Sequence, residues 1–301
     1  MRILLLGKDG QVGGELAARL GALGTLVAPD RSQCDLTRID ELRQLVRDTA
    51  PVVIVNAAAY TAVDRAESEP ALAHAVNALA PAVLGEEAKR LGALLVHYST
   101  DYVFDGRLAR PYVEEDSPNP QSAYGRSKLA GEEALRASGA VHFIFRTSWV
   151  FGPRRQNFLL TMLRLAAERE ALRVVDDQFG APTPADWIAE ATLQVLARYR
   201  HDEVLPSVLG TYHLAAGGHT SWLGFARAIV AGSLERGAKL RLTPAQIEAI
   251  STLAYGAPAL RPANSRLDTG KLQRTFGLQP PPWETGLRRV LDELLAGSRH
   301  A

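Results

Sequence analysis

Cysteine is all but missing: Cys34 is the single one in 301 residues. That excludes an intrachain disulfide and a cysteine-built zinc site, and it fits the reducing environment of a cytoplasmic protein, which is the expectation here. A surplus of either charge is also missing, with 34 Lys and Arg against 33 Asp and Glu. Without a basic excess there is no electrostatic footprint for nucleic acid or an anionic membrane surface, so the expected partner is small. No apolar run approaches the roughly 18 residues that a membrane-spanning helix needs. The opening apolar run, residues 3–6, is too short to be the core of an export signal. The histidines (His74, His97, His142, His201, His213, His219 and His300) are scattered without metal-ligand spacing and read as ordinary polar or core positions. Internal repeats and low-complexity tracts are absent.

What is present suits a globular α/β protein of one large or two moderate domains: 47% of residues are hydrophobic and 22% charged. Residues 3–6 read as a buried strand, Gly7-x-x-Gly10-x-x-Gly13 as a glycine turn, and residues 15–20 as a helix. Glycines at such a turn permit positive φ and close backbone approach to a pyrophosphate, whose charge then meets the free N–H groups of the helix. A tight turn with no ligand is the plainer alternative. A second strand, residues 25–28, ends at Pro29-Asp30-Arg31, near where such folds read the adenosine ribose. Asp30 suits the free 2′-hydroxyl of NAD(H), whereas Arg31 suits the 2′-phosphate of NADP(H), so the signal is divided. Residues 52–56 read as a third, β-branched strand, continued by Ala57, Ala58 and Ala59, which are small enough to admit a flat ligand or a closely packed helix. Helical patterns at 39–48, 70–79 and 81–91 and strands at 94–98 and 142–146 keep the alternation going to about residue 152. This predicts a doubly wound parallel sheet over residues 1–152. The proline-richer residues 153–301 predict a smaller, irregular substrate domain with segments that cross back to the first.

The densest chemistry lies in residues 94–133. Ser99, Thr100 and Asp101 follow a strand, at the edge where open parallel sheets place ligands. Tyr124 and Lys128 lie four apart in a predicted helix over 121–138, stopped by Gly139, and so share a face. A phenol titrates near 10, and a general acid works best nearer the operating pH. An ammonium at about 4 Å and an effective dielectric of about 20 is worth on the order of 4 kcal/mol, enough to lower the phenol. The competing reading is a solvated helix face carrying an unrelated Tyr and Lys.

Taken together, the glycine turn, Ser99-Thr100-Asp101 and Tyr124-x-x-x-Lys128 resemble the extended short-chain dehydrogenase/reductases. NAAAYTAVDRAESEP (56–70), YSTDYVFDG (98–106), YGRSKLAGE (124–132), RTSWVFG (146–152), DDQFGAPT (176–183) and RPANSRL (261–267) are similar to the dTDP-4-dehydrorhamnose reductase family within them. The resemblance implies a Rossmann-type fold and NADH- or NADPH-dependent reduction of the C4 ketone of dTDP-4-dehydro-L-rhamnose, a dTDP-linked 4-keto-6-deoxyhexose, to dTDP-L-rhamnose. Carried over by position, Tyr124 is the proton donor, Lys128 its lysine and Thr100 the hydroxyl that holds the reacting oxygen. Gly7, Gly10, Gln11, Val12, Gly13, Asp30, Arg31, Asp35, Leu36, Ala59, Tyr60 and Thr61, with Tyr124 and Lys128, are expected at the cofactor. Thr100, Asp101 and Trp149 are expected at the sugar. Tyr60 stands where some relatives have His. Some relatives also use Mg²⁺ at a dimer contact; Glu293 matches that position, and a solvated helix face competes with it. Other nucleotide-sugar reductases and epimerases share Tyr and Lys, and a cofactor-binding regulatory subunit is the remaining alternative.

Overall fold

The computed structural model describes residues 1–200 and 208–296; His201 and His300 lie outside them. Six parallel strands form the central sheet: β1 (Arg2–Leu6), β2 (Thr25–Val27), β3 (Val53–Asn56), β4 (Leu94–Thr100), β5 (His142–Thr147) and β6 (Gly210–His213). Their spatial order is β2-β1-β3-β4-β5-β6, which reverses direction between β1 and β3. In a doubly wound sheet the crevice at that reversal, at the carboxyl ends of the strands, is the ligand position.

The strands are unbroken apolar runs because both sheet faces are covered. Ile3, Leu5, Val53, Val55, Val96, Phe143 and Phe145 point to one face and pack with Leu16, Leu20, Ile188 and Val195. Leu4, Leu6, Ile54, Leu95 and Ile144 point to the other and pack with Leu42, Val46, Val83, Leu84 and Leu135. Thus the helix Ala185–Arg200 and strand β6, from the second half of the chain, complete the layers begun by the first half. A separate core gathers Phe151, Leu159, Phe225, Ile229, Trp283, Leu287 and Leu291. Around it, Leu172–Val175 pairs with Ile247–Ile250, Phe179–Gly180 with Thr220–Ser221, and Val150–Phe151 with Thr183–Pro184.

Two local expectations are corrected. The third strand stops at Asn56, and residues 57–59 leave it as a loop instead of continuing it. The helix predicted over 70–79 is interrupted: Pro70–His74 is α-helical, Ala75–Leu79 is a π-helical turn, and α-helix resumes over Ala80–Leu91. Pro81 has no N–H to give the Asn77 carbonyl four residues earlier, so the ladder must widen there. Gly131 of the helix Ala123–Ser138 leaves room for that carbonyl, since a Cβ on it would sit 2.1 Å from the oxygen.

Candidate active site

The glycine turn is built as tightly as its sequence implies. Gly7 has φ +85°, and a Cβ on it would lie 2.6 Å from the Ala58 backbone nitrogen. A Cβ on Gly13 would lie 1.9 Å from the Gly7 carbonyl oxygen. Above them the helix Gln11–Leu20 starts at Gly10 with no side chain capping its N–H groups and no carboxylate in its first turn. Free donors and a favourable dipole end, with the preceding Asp9 paired to Arg155 at 3.7 Å, make a fit for a pyrophosphate.

The turn opens on a cleft of about 830 Å³ lined, among others, by Gly7, Gly10, Gln11, Val12, Asp30, Arg31, Asp35, Leu36, Ala59, Tyr60, Thr61, Tyr124 and Lys128. Gly13 lies beneath the turn, where it permits the fold of the backbone. At one end Asp30 Oδ1 accepts from Ser32 N, Ser32 Oγ and Gln33 N, which leaves Oδ2 3.8 Å from Lys8 Nζ. The Ser32 hydroxyl, before other contacts, holds the Asp30 carboxyl below its usual range. Arg31 is largely exposed, with Nε 3.8 Å from Asp35 Oδ2. Tyr60 is pinned: its hydroxyl donates to Glu69 at 2.6 Å, and its backbone exchanges two hydrogen bonds with the Asn77 amide. Asn77 also donates to Ser127 Oγ at 3.0 Å, so the π-turn ties the loop at Tyr60 to the helix Ala123–Ser138.

At the other end of the cleft that helix carries Tyr124 and Lys128. Ser122 caps it through Gly125 N at 3.1 Å, Glu67 accepts from Ala123 N at 2.7 Å, and Gly139 ends it with φ +67°. Lys128 is buried against β4, its Nζ donating to the Tyr98 carbonyl at 2.7 Å and lying 3.3 Å from His97 Nε2. Burial pushes its ammonium down to about 8, against the pull of Glu132. Thr100 ends β4 and donates to Asp101 Oδ1 at 2.9 Å. Burial raises Asp101 to about 7, against hydrogen bonds from Ser265 and Thr100.

The phenol behaves differently from the sequence-based expectation. Burial pushes Tyr124 up to about 12; the Thr100 hydroxyl pulls it down and the Asp101 charge pushes it further up. Burial is the largest influence on the phenol, and the Lys128 ammonium is directed to the strand beneath it. Tyr124 therefore stays a protonated acid across the ordinary pH range, and the group of this pair that titrates nearest neutrality is Lys128.

Trp149 lies outside the lining of this cleft. It is half-buried, stacked on Trp222 with ring centroids 3.6 Å apart, and donates to Ser265 Oγ at 3.1 Å. Its φ of +46° is unusual for a bulky side chain and is retained by the surrounding contacts. Glu293 is exposed on the last helix, and no group of three or more metal-type ligands occurs among the described residues. Among those residues no helix is long and apolar enough to cross a membrane.

Sequence reasoning missed the supports. Glu132, one turn beyond Lys128, takes Arg146 of β5 in a two-bonded pair at 2.9 and 2.7 Å, with both side chains buried. His97, which reads from the sequence as an ordinary polar or core position, is such a support, and Asn56 and Asn77 carry no role in that reading. Their only sequence signal is a polar residue inside an apolar run or helix, which does not name its partner.

Residues 1–296 match the family model described as "RmlD substrate binding domain". The chain is 48% identical over 297 residues to a dTDP-4-dehydrorhamnose reductase of Burkholderia thailandensis, covering 98% of this chain and 100% of the relative. It belongs to the dTDP-4-dehydrorhamnose reductase family. A second member, from Escherichia coli K12, is 46% identical over 98% of each chain. A crystal structure of the Bacillus anthracis reductase in complex with NADP superimposes with a TM-score of 0.86 at 35% identity, covering 97% of this chain and 99% of that one. Family membership makes this protein a nicotinamide-dependent oxidoreductase with a Rossmann-type fold.

Proposed function

We propose that the protein reduces the C4 ketone of dTDP-4-dehydro-L-rhamnose to the alcohol of dTDP-L-rhamnose, with Tyr124 as proton donor. The observation that carries this reading is that Tyr124 and Lys128 line one end of a cleft whose other end is the glycine turn, with the Thr100 hydroxyl, at the carboxyl end of β4, beside Tyr124 although outside the cleft lining. When bound, the reduced nicotinamide supplies the hydride. Tyr124, kept neutral by burial, gives its proton to the oxygen as negative charge grows there. Thr100 adds a second hydroxyl at that oxygen by turning from Asp101. Lys128 is held by β4 so that its remaining N–H is available to the cofactor ribose. On this reading the sugar reaches beyond the cleft lining towards Trp149, which is stacked on Trp222 and donates to the Ser265 hydroxyl. Residues 1–152, with the elements that rejoin their sheet, form the cofactor unit; the rest of residues 153–301 mainly supply the substrate side.

NADPH consumption measured with and without the dTDP-hexulose tests the reading. Turnover with that substrate alone supports it, oxidation of a different nucleotide sugar points to a sister reaction, and cofactor binding without turnover returns the regulatory alternative.

Two further results are expected. Arg31→Ala lowers kcat/KM for NADPH about 3- to 5-fold, the upper range for an exposed ion pair, and leaves NADH unchanged. Parallel losses for both cofactors remove Arg31 from the 2′-phosphate. Trp149→Ala raises KM for the hexulose several-fold, since an aromatic contact contributes about 0.5–1.5 kcal/mol beyond its area, and leaves the KM for NADPH alone. A lower Tm with unchanged KM assigns Trp149 to packing on Trp222 instead.

A further inference from the structure

His97 sits at the centre of β4 with 1% of its surface exposed, an expensive place for an imidazole unless both ring nitrogens have partners. They do. Nε2 faces Lys128 Nζ at 3.3 Å, and Nδ1 faces the Asn56 amide on β3 at 3.1 Å. A lysine ammonium has three donors on a flexible stem, so its direction must be imposed from outside. The Tyr98 carbonyl takes one donor at 2.7 Å. With a second directed to His97, the third is left for the cleft, which Lys128 lines beside Ser99 and Tyr124.

We propose that His97 is a positioning residue for Lys128: its neutral Nε2 accepts from the ammonium and fixes where the remaining N–H points. The inference rests on the role given to Lys128 above. The proton count has one further consequence. If Nε2 accepts, the ring proton is on Nδ1 and the Asn56 amide must present its oxygen to it. Asn56 turns its nitrogen towards the ring here and its oxygen to Ala58 N at 3.3 Å, the partner arrangement suited to an uncharged lysine. A half-turn of that amide, at the cost of one long hydrogen bond, suits the cation. The charge of Lys128, the tautomer of His97 and the orientation of Asn56 are therefore linked.

Two groups around this site change charge near neutral to alkaline pH: Asp101, raised by burial to about 7, and Lys128, lowered by burial to about 8. On its own helix it is accompanied by Tyr124, held up by burial, and Glu132, kept ionised by Arg146 from β5 and by Arg136. On β4, burial first and then the charges of Lys128 and His142 keep His97 neutral. Asp101, beyond the strand end, acts on Tyr124.

Paired variants separate positioning from packing. In His97→Gln the amide oxygen reaches roughly where Nε2 was, whereas in His97→Asn the shorter amide reaches only the Nδ1 position. The Asn variant is expected to lose about 10-fold in NADPH affinity and in kcat/KM at pH 7, as for loss of a hydrogen bond to a charged group. Its alkaline limb moves to lower pH, since an ammonium deprived of an acceptor loses its proton sooner. The Gln variant stays close to the parent in both. Equal losses in the two variants, or an alkaline limb that moves upward in Asn, overturn the proposal. Imidazole ¹⁵N NMR of the unmodified protein without cofactor provides a reading independent of turnover. Nδ1 protonated at pH 6.5, exchanging for Nε2 as Lys128 titrates, is expected; Nε2 protonated throughout refutes it. Should the dTDP-hexulose not be the substrate, NADPH affinity and the ¹⁵N signals still decide the matter.

Discussion

Tyr124→Phe binds NADPH as the parent does and turns over about 10²–10⁴-fold more slowly, the range typical of a lost general acid. The substitution keeps the ring, its edge contact with Tyr102 at 5.9 Å and its place on a capped helix, so the loss is confined to the hydroxyl, with its proton and its contact with Thr100. The residual rate has the parent's alkaline limb, because that limb belongs to Lys128 at about 8 and not to a phenol held near 12. Lys128→Met is expected to abolish the limb as well as weaken NADPH binding. Steady-state kinetics across pH, with cofactor affinity measured in parallel, checks both. A folded Tyr124→Phe protein that reduces the hexulose at near the parent rate ends the assignment.

Glu132→Gln is expected to destabilise the fold by about 3–5 kcal/mol, the cost of leaving one member of a buried ion pair uncompensated. Glu132 is fully buried and Arg146 is 2% exposed, with Arg146 Nη1 already lacking a partner, so the guanidinium has nowhere to recover its loss. Denaturant titration of the variant and parent gives the difference. The pH dependence follows from the sign. Burial alone would raise the Glu132 carboxyl, but its contacts with Arg146, together with Ser99 and Arg136, outweigh burial and hold it below the ordinary value. Its contribution is thus present above the unfolded carboxylate pKa of about 4.3 and is lost as pH falls through the folded value. The variant should lack that part of the acid-side decline. Because the pair joins the helix of Tyr124 and Lys128 to β5, kcat should fall in the fraction that remains folded; unchanged kcat there limits the pair to stability.

The parts of this architecture that were legible in the sequence are those governed by local chemistry. The apolar runs of β1, β3, β4 and β5 announce a sheet buried on both faces, Gly7, Gly10 and Gly13 announce a tight turn between strand and helix, and Tyr124 and Lys128 announce a shared helix face. What depends on distant partners was not legible. The direction of Lys128 is set by Tyr98 and His97 thirty or so residues earlier, so the expected lowering of the phenol did not follow from spacing alone. The π-turn arises from Pro81 acting on Asn77 and from Gly131 on another helix. Trp149 looked available to a ligand until Trp222, from a separate element, took one of its faces.

The return of late segments to early ones has a consequence for synthesis. β6 pairs with β5 only after residue 213 exists, Arg261 closes on Asp64 at 2.8 Å, and Leu267 bridges Tyr112. At roughly 5–20 residues per second on the ribosome, the glycine turn and the Tyr124 helix emerge several seconds before the chain that borders them. During that interval β5 presents an unpaired, apolar parallel edge, the kind of surface that nascent-chain chaperones cover and that aggregates when they do not.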